Sequence, residues 1–392
     1  LNPAARQQLV VMARALRFRL ALFYGASFAA IGISLPYWPV WLASRGLTPI
    51  EIGLLLAANY WPRIATSVAI AHSADRLGRR RPLMLLLAAV TLIGMALFAL
   101  AHHLWLFLLL SLLTGASWAA ILPLGEALAL QELKARGFGY GPVRLWGSIT
   151  FILASVGGGW WIGRSGPESV LGLLLTLLAL NLLACAQLPE NRAPRPPPEP
   201  PQLGQLVRLP GLLRLVLAAG LIQVSHALYY GFASLHWRAG GLGEAVIGWL
   251  WAEGVIAEVL LFAFAGSILR RLNPPRLLTL AGSLAVLRWC LTAAGTDLAL
   301  LIPAQALHGA SFGAAHLATM HQLRDRAPPD LQASAQGFYA AIGNALLFGL
   351  VTPAAGWLYA RAGGGAFFAM AGLALVGTVL AARLSARSGR GV

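Results

Sequence analysis

An all-α integral membrane protein, with twelve transmembrane helices in two pseudo-symmetric six-helix bundles, is the fold class that three features of the sequence predict. Apolar residues make up 58% of the 392-residue chain and charged residues only 11%, where a soluble domain carries roughly 25% charged. Apolar runs of about 20 residues, long enough to cross hydrocarbon as helices, recur along the whole length. The second half of the chain also repeats the first. Backbone groups in lipid must bond within their own segment, so such runs are helices. Barrel strands would be shorter and alternating.

The runs place spans 1 to 12 at 19–43, 50–73, 81–101, 104–131, 140–164, 168–188, 212–237, 245–269, 276–296, 298–323, 331–360 and 364–384. Connections are short except 189–210, whose prolines forbid a continuous helix. The chain therefore divides into a segment 1–18, a bundle 19–188, a linker 189–210, a bundle 211–384 and a tail 385–392. Met12 is a natural initiator, so residues 1–11 read as an upstream extension or a trimmed remnant. Pro36, Pro39, Pro62, Pro123 and Pro353 are expected to kink their spans or open the local backbone.

A net charge of +16 raises nucleic acid as a partner. The placement of the charge excludes it, because the arginines sit in short loops between spans and on no single face. With the N-terminus inside, 22 of the 29 basic residues fall on the inner side and Arg45, Arg164, Arg238 and Arg361 on the outer. Arg63, Arg144 and Arg288 remain within spans. Cytoplasmic loops gather Lys and Arg, so both termini are expected in the cytoplasm, with the chain a monomer in the inner membrane. Trp38, Trp41, Trp105, Trp160, Trp161, Trp237 and Trp357 near outer ends read as interface anchors. Cys185 and Cys290 both lie in apolar runs and read as small buried hydrophobes.

The repeat is visible at a shift of 195 residues, which superposes Gly46-Leu47 on Gly241-Leu242, Ile52-Gly53 on Ile247-Gly248, Arg76 on Arg271 and Arg81 on Arg276. Gly115–Trp118 likewise matches Gly309–Phe312, and the GWWIGR of Gly159–Arg164 resembles the GWLYAR of Gly356–Arg361.

The loop after span 2 reads Ala71-His-Ser-Ala-Asp75-Arg76-Leu-Gly78-Arg79-Arg80-Arg81. It resembles the signature loop of the major facilitator superfamily, Gly-x-x-x-Asp-Arg-x-Gly-Arg-Arg, with Ala71 in place of the opening Gly. Gly78 permits a tight turn, and the arginines suit an anionic inner surface. The resemblance implies a conformational latch at Asp75, Arg76, Gly78, Arg79 and Arg80. In the second half Arg270 stands where the acid would be, so a matching latch is not expected there. Gly139-Tyr-Gly-Pro-Val-Arg144-Leu-Trp146-Gly-Ser148 and the stretch Leu35–Gly53 resemble the phenylpropionate permease family, near the lactose permease and the nucleoside–proton symporters. The resemblance implies the major facilitator fold, with the solute bound at the midplane between the halves.

An ionisable group inside a span is costly and is functional by default. Glu126 and Arg144 lie nearly equidistant from the turn around Ala135, so antiparallel spans 4 and 5 put them at one depth as an acid–base pair. Resemblance to lactose permease-like carriers implies that this pair contacts the solute; a structural salt bridge is the competing reading. Arg63, His226, Glu258, Arg288 and His308 lie near the midplane, which implies a wet cavity there. A midplane carboxylate whose arginine partner comes and goes can be loaded and unloaded with a proton, which makes Glu258 the candidate carrier. Related symporters imply Arg288 as its partner and His308 as a relay, with His316 a second possibility for that role. Glu253, five residues from Glu258, points to another side of its helix, toward a pore or a partner on another span. Asn59, Tyr60, Trp61, Tyr229, Tyr230, Trp251 and Asn344 are candidate pocket walls. Of these, Asn59 and Tyr229 join Arg63, Glu126 and Arg144 as the solute-binding set.

The expected function is secondary active transport of a small organic solute by alternating access, as proton symport. The solute is an aromatic carboxylate, a sugar or a nucleoside. The proton gradient supplies the energy, and no bound cofactor or metal is expected. An exporter of amphipathic compounds is the alternative, and the midplane arginines favour anionic or polar cargo over cationic drugs. An integral membrane transferase is the remote alternative; it would need a metal-binding acid cluster or an activated nucleophile, and no HExxH, Asp-rich pair or phosphate loop is found in the sequence.

Overall fold

The computed structural model describes residues 3–63, 80–190, 203–329 and 331–388. Ten helical segments among these are long and apolar enough to cross a membrane. The last, Ser334–Leu384, contains both spans 11 and 12. Span 2 begins with Pro49–Ala58 and passes out of the described residues after Arg63.

The repeat is visible first in the turns. Gly46 and Gly241 both carry positive φ, 81° and 86°, where a side chain would be strained. Each closes its helix with the same bond pair. Gly46 N–H donates to Ala43 and Leu47 N–H to Leu42, and Gly241 N–H donates to Arg238 and Leu242 N–H to Trp237. At the far ends of spans 5 and 11, Arg164 lies 3.7 Å over the Trp160 ring and Arg361 lies 3.7 Å over Trp357. These are repeat-equivalent pairs one helical turn apart.

The halves pack through spans 2 with 11, 5 with 8 and 1 with 7. The close contacts fall at the span ends away from the termini. Gly53 lies backbone to backbone against Gly356, and Gly159 and Gly248 lie against the carbonyls of Glu244 and Ser155; a Cβ at any of the four would collide with the facing chain. The Tyr37 hydroxyl, on span 1, donates to the carbonyls of Ser155 (2.8 Å) and Glu244 (3.1 Å), tying span 5 to span 8. Trp61 Nε1–H donates to the Gly349 carbonyl at 3.0 Å, tying span 2 to span 11. Among the described residues, the close backbone contacts and these hydrogen bonds between the halves thus gather toward one face.

Several spans are not single continuous α-helices. The helices containing Pro36, Pro39, Pro123 and Pro353 are continuous, and span 2 is interrupted at Asn59-Tyr60, just before Pro62. Other interruptions lie away from proline. Span 7 divides into Leu212–Val224 and Ala227–Ala239. There Ser225 Oγ donates back to the Ile222 carbonyl, and His226 Nδ1 lies 3.1 Å from that of Gln223, the kind of local bonding that loosens a helix. Span 8 runs as Glu244–Ala263 and restarts at Ala265–Arg271. Spans 10 and 11 carry π-helical turns at Gly309–Gly313 and Ala340–Leu346, an irregularity that recurs at functional sites.

Candidate functional site

Two ionisable clusters, one in each half, sit along the seam. In the first half, Arg144 Nε lies 3.7 Å from Glu126 Oε1, so spans 4 and 5 do bring these residues together. The Tyr140 hydroxyl donates to the same carboxylate at 3.3 Å. The guanidinium rests 4.0 Å over the Phe28 ring and 5.6 Å from that of Tyr24, faces that attract a cation. Both charged side chains remain partly open, Arg144 at 29% and Glu126 at 37% exposure.

In the second half, Arg288 is wholly buried and every bond it makes is to a neutral group of span 10. Nε donates to the Ala304 carbonyl at 2.9 Å, NH2 to Gln305 Oε1 at 3.2 Å, and NH1 lies 2.9 Å from His308 Nδ1. The guanidinium also lies 4.5 Å from the Tyr229 ring and 4.4 Å from that of Trp289. The Tyr229 hydroxyl donates to Gln305 at 3.0 Å. An arginine N–H can only donate, so His308 Nδ1 accepts and the ring proton resides on Nε2. That nitrogen faces Glu258 Oε2 at 3.9 Å. The expected direct pair of Glu258 and Arg288 is therefore absent here. His308 stands between them, because span 10 offers Arg288 three acceptors on one face while Glu258 approaches from the other side of the imidazole. His226 Nδ1 lies against backbone carbonyls and its buried Nε2 has no partner among the described residues.

Toward the face where the halves meet lies a cavity of about 130 Å³ whose lining includes Asn59, Tyr60, Arg63, Trp38, Trp118 and Tyr230. The Arg63 guanidinium lies 4.7 Å from the Tyr60 ring, and its Nε is buried without a hydrogen bond. No ion pair to Arg63 is found among the described residues. Asn59 donates to the Leu55 carbonyl at 3.0 Å, which fixes its side chain at the end of the first helical segment of span 2. Tyr60 and Phe348 stack at 5.2 Å across the seam.

The remaining candidates fall elsewhere. Trp251 Nε1–H donates to Ser234, and Asn344 is exposed within the span 11 π turn. Glu253 reaches neither a pore nor another span. It shares the outward stripe of Trp249, Ile256 and Leu260, and no bond to it is found among the described residues. Asp75, Arg76, Gly78 and Arg79 lie outside the described residues. Arg80 is buried and donates to Gln131 Oε1 at 2.8 Å, which ties span 3 to span 4 within one half and keeps this arginine off the inner surface. Gln305, Phe28 and Tyr140 escaped the sequence reading. Gln305 had a usable signal, a lone amide one helical turn before His308 in an apolar run.

A helical membrane protein of two repeated halves, joined over a cavity toward one face, with ionisable groups along the seam, belongs to the secondary transporters of small solutes. The MFS_1 like family matches residues 17–370, and the chain belongs to that family. It is 34% identical over 360 residues to the probable 3-phenylpropionic acid transporter of Escherichia coli K12, covering 91% of this chain and 94% of the relative. It is 31% identical over 354 residues to the maltose permease of Geobacillus stearothermophilus, covering 87% of each. A crystal structure of a mutant of the nucleoside transporter NupG superposes with a TM-score of 0.84 over 94% of this chain and 99% of that one. At 16% identity this is a likeness of fold alone. The family's members are transporters, which removes the transferase alternative.

Proposed function

We propose that this protein is a proton-coupled symporter that imports a small organic anion bearing an aromatic ring. It acts as a monomer in the inner membrane with both termini in the cytoplasm. Residues 19–188 and 211–384 are the two moving bundles, and 189–210 is the cytoplasmic linker. The observation that carries the substrate class is Arg63, a cation without an acidic partner among the described residues, set in a cavity whose walls include Tyr60, Trp118 and Tyr230. A carboxylate supplies the missing charge and an aromatic body suits the walls. The relative named as a transporter of 3-phenylpropionic acid supports the same class.

Coupling follows from the second cluster. While Arg288 donates to His308 Nδ1, a proton added to that nitrogen would set donor against donor, so the imidazole stays neutral. The titrating group in this state is then Glu258, whose side chain is 27% exposed. Glu258 and Arg144 stand on helices of opposite halves, spans 8 and 5, which pack against each other, so motion of the halves would change the charge near Glu258. Solute entering beside Arg144 and Glu126 joins the two clusters.

Purified protein in proteoliposomes, given radiolabelled 3-phenylpropionate with an inside-alkaline pH gradient, should accumulate it above equilibrium and lose that accumulation with an uncoupler. Equal uptake with and without the gradient would refute proton coupling. Uptake of maltose or nucleosides, and not of aromatic acids, would refute the substrate class. Net extrusion under the same gradient would make it an exporter.

A further inference from the structure

On the outer surface of the first bundle, away from the seam, spans 1, 5 and 6 leave a groove of about 660 Å³. Among the described residues its lining comes from the first half alone, and Phe18, Trp146, Leu180 and Leu183 on it are exposed. Its floor and walls are apolar and small-sided, with Ala21, Gly25 and Ala29 on span 1 facing Leu180 and Leu183 on span 6. Trp146, which the sequence motif at span 5 singled out and the transport site leaves unused, forms part of one wall and is half exposed. At one end stand Arg14 and Arg17, both exposed. Arg17 leans over Phe138, its guanidinium 5.8 Å from the ring, and no acidic residue lines the groove among the described residues.

We infer that this groove holds one anionic phospholipid of the inner leaflet, its phosphate on Arg14 and Arg17 and an acyl chain along Ala21, Gly25 and Ala29. Charge complementarity selects the headgroup, since two guanidinium groups with no competing carboxylate bind phosphate through paired N–H donors. Depth selects the tail. From Arg14 to Ala29 span 1 rises about 22 Å, which is roughly half the hydrocarbon thickness plus a headgroup layer. All three walls come from the halves of spans 1, 5 and 6 nearest the arginine-rich loops, the leaflet face where anionic lipid collects. A bound lipid would brace span 1 against spans 5 and 6, where the latter two scarcely touch.

The test uses full-length protein delipidated in detergent, with thermal stability and native mass spectrometry read during titration with dioleoyl phosphatidylglycerol, dioleoyl phosphatidylcholine or glycerol 1-phosphate. Phosphatidylglycerol should stabilise the protein and remain bound as a single adduct. Phosphatidylcholine should do so far more weakly, and glycerol 1-phosphate should do nothing. The double variant Arg14→Ala/Arg17→Ala should lose about thirtyfold in apparent affinity for phosphatidylglycerol, the effect of two interfacial arginines, and Arg14→Lys/Arg17→Lys should keep most of it. Equal stabilisation by the two phospholipids, or full phosphatidylglycerol binding by the alanine variant, would overturn the inference. So would binding of glycerol 1-phosphate, which would make the site one for free phosphate.

Discussion

The two halves descend from one repeat, yet they hold their membrane arginines in opposite ways. Arg144 has one acid at 3.7 Å, two aromatic faces and an open side. Arg288 has no exposure, three neutral acceptors and two flanking rings. A partly wetted guanidinium can exchange a protein partner for a solute at little desolvation cost. A buried one that donates to three acceptors stays where it is, because moving it would strand acceptors at about 1–3 kcal/mol each. The first arrangement suits recognition and the second suits a fixed reference charge around which a proton site is built.

The sharpest way to break this comparison is at Glu258. Glu258→Gln should abolish accumulation against a gradient while leaving counterflow exchange within about twofold, since exchange needs no net proton movement. Unchanged uphill uptake would remove Glu258 from coupling and leave the buried cluster structural. Next, Arg144→Lys should weaken solute binding by about 2 kcal/mol, roughly thirtyfold, because a point charge replaces the planar fork that also stacks on Phe28. Wild-type affinity by equilibrium binding would return Arg144 and Glu126 to a plain salt bridge.

The third effect concerns the face where the halves meet. Gly356→Leu or Gly159→Leu should disfavour closure by about 1–3 kcal/mol, the usual cost of overpacking. The measurement is labelling of a cysteine at Ser34 by an impermeant reagent added from outside, with Cys185 and Cys290 replaced by Ser. Labelling should rise several-fold; an unchanged rate would show that the glycines do not limit closure. The smallest effect is a symmetry test. Arg164→Gln and Arg361→Gln should each cost about 0.5–1 kcal/mol, and by equal amounts, since both cations stand 3.7 Å over their rings. Unequal shifts in thermal stability would mean that the repeat has diverged at its edges as well as in its core.

How much could be read in advance differs between the two clusters for a physical reason. Glu126 and Arg144 flank one short turn, so helical rise alone puts them at equal depth. Glu258, Arg288 and His308 stand on three helices, and depth says nothing about the order in which they meet across the bundle. The interposed His308 depends on helix rotation and on Gln305, a residue the sequence makes visible only as an amide in an apolar run. The break at Ser225-His226 and the π turns were equally hidden. At Ser225-His226 and in the span 10 π turn side chains bond to backbone carbonyls, a local competition that residue type alone does not announce.

The sequence by itself determined the membrane class, the repeat and the shared glycine turns, because hydrocarbon thickness and backbone hydrogen bonding leave an apolar run of about 20 residues one conformation. Only the tertiary structure decided toward which face the halves are joined, that four glycines let them meet there, and which neutral groups hold Arg288. Those outcomes rest on contacts between helices distant in the chain, whose rotation and approach are set by packing across the bundle and leave no period in the sequence.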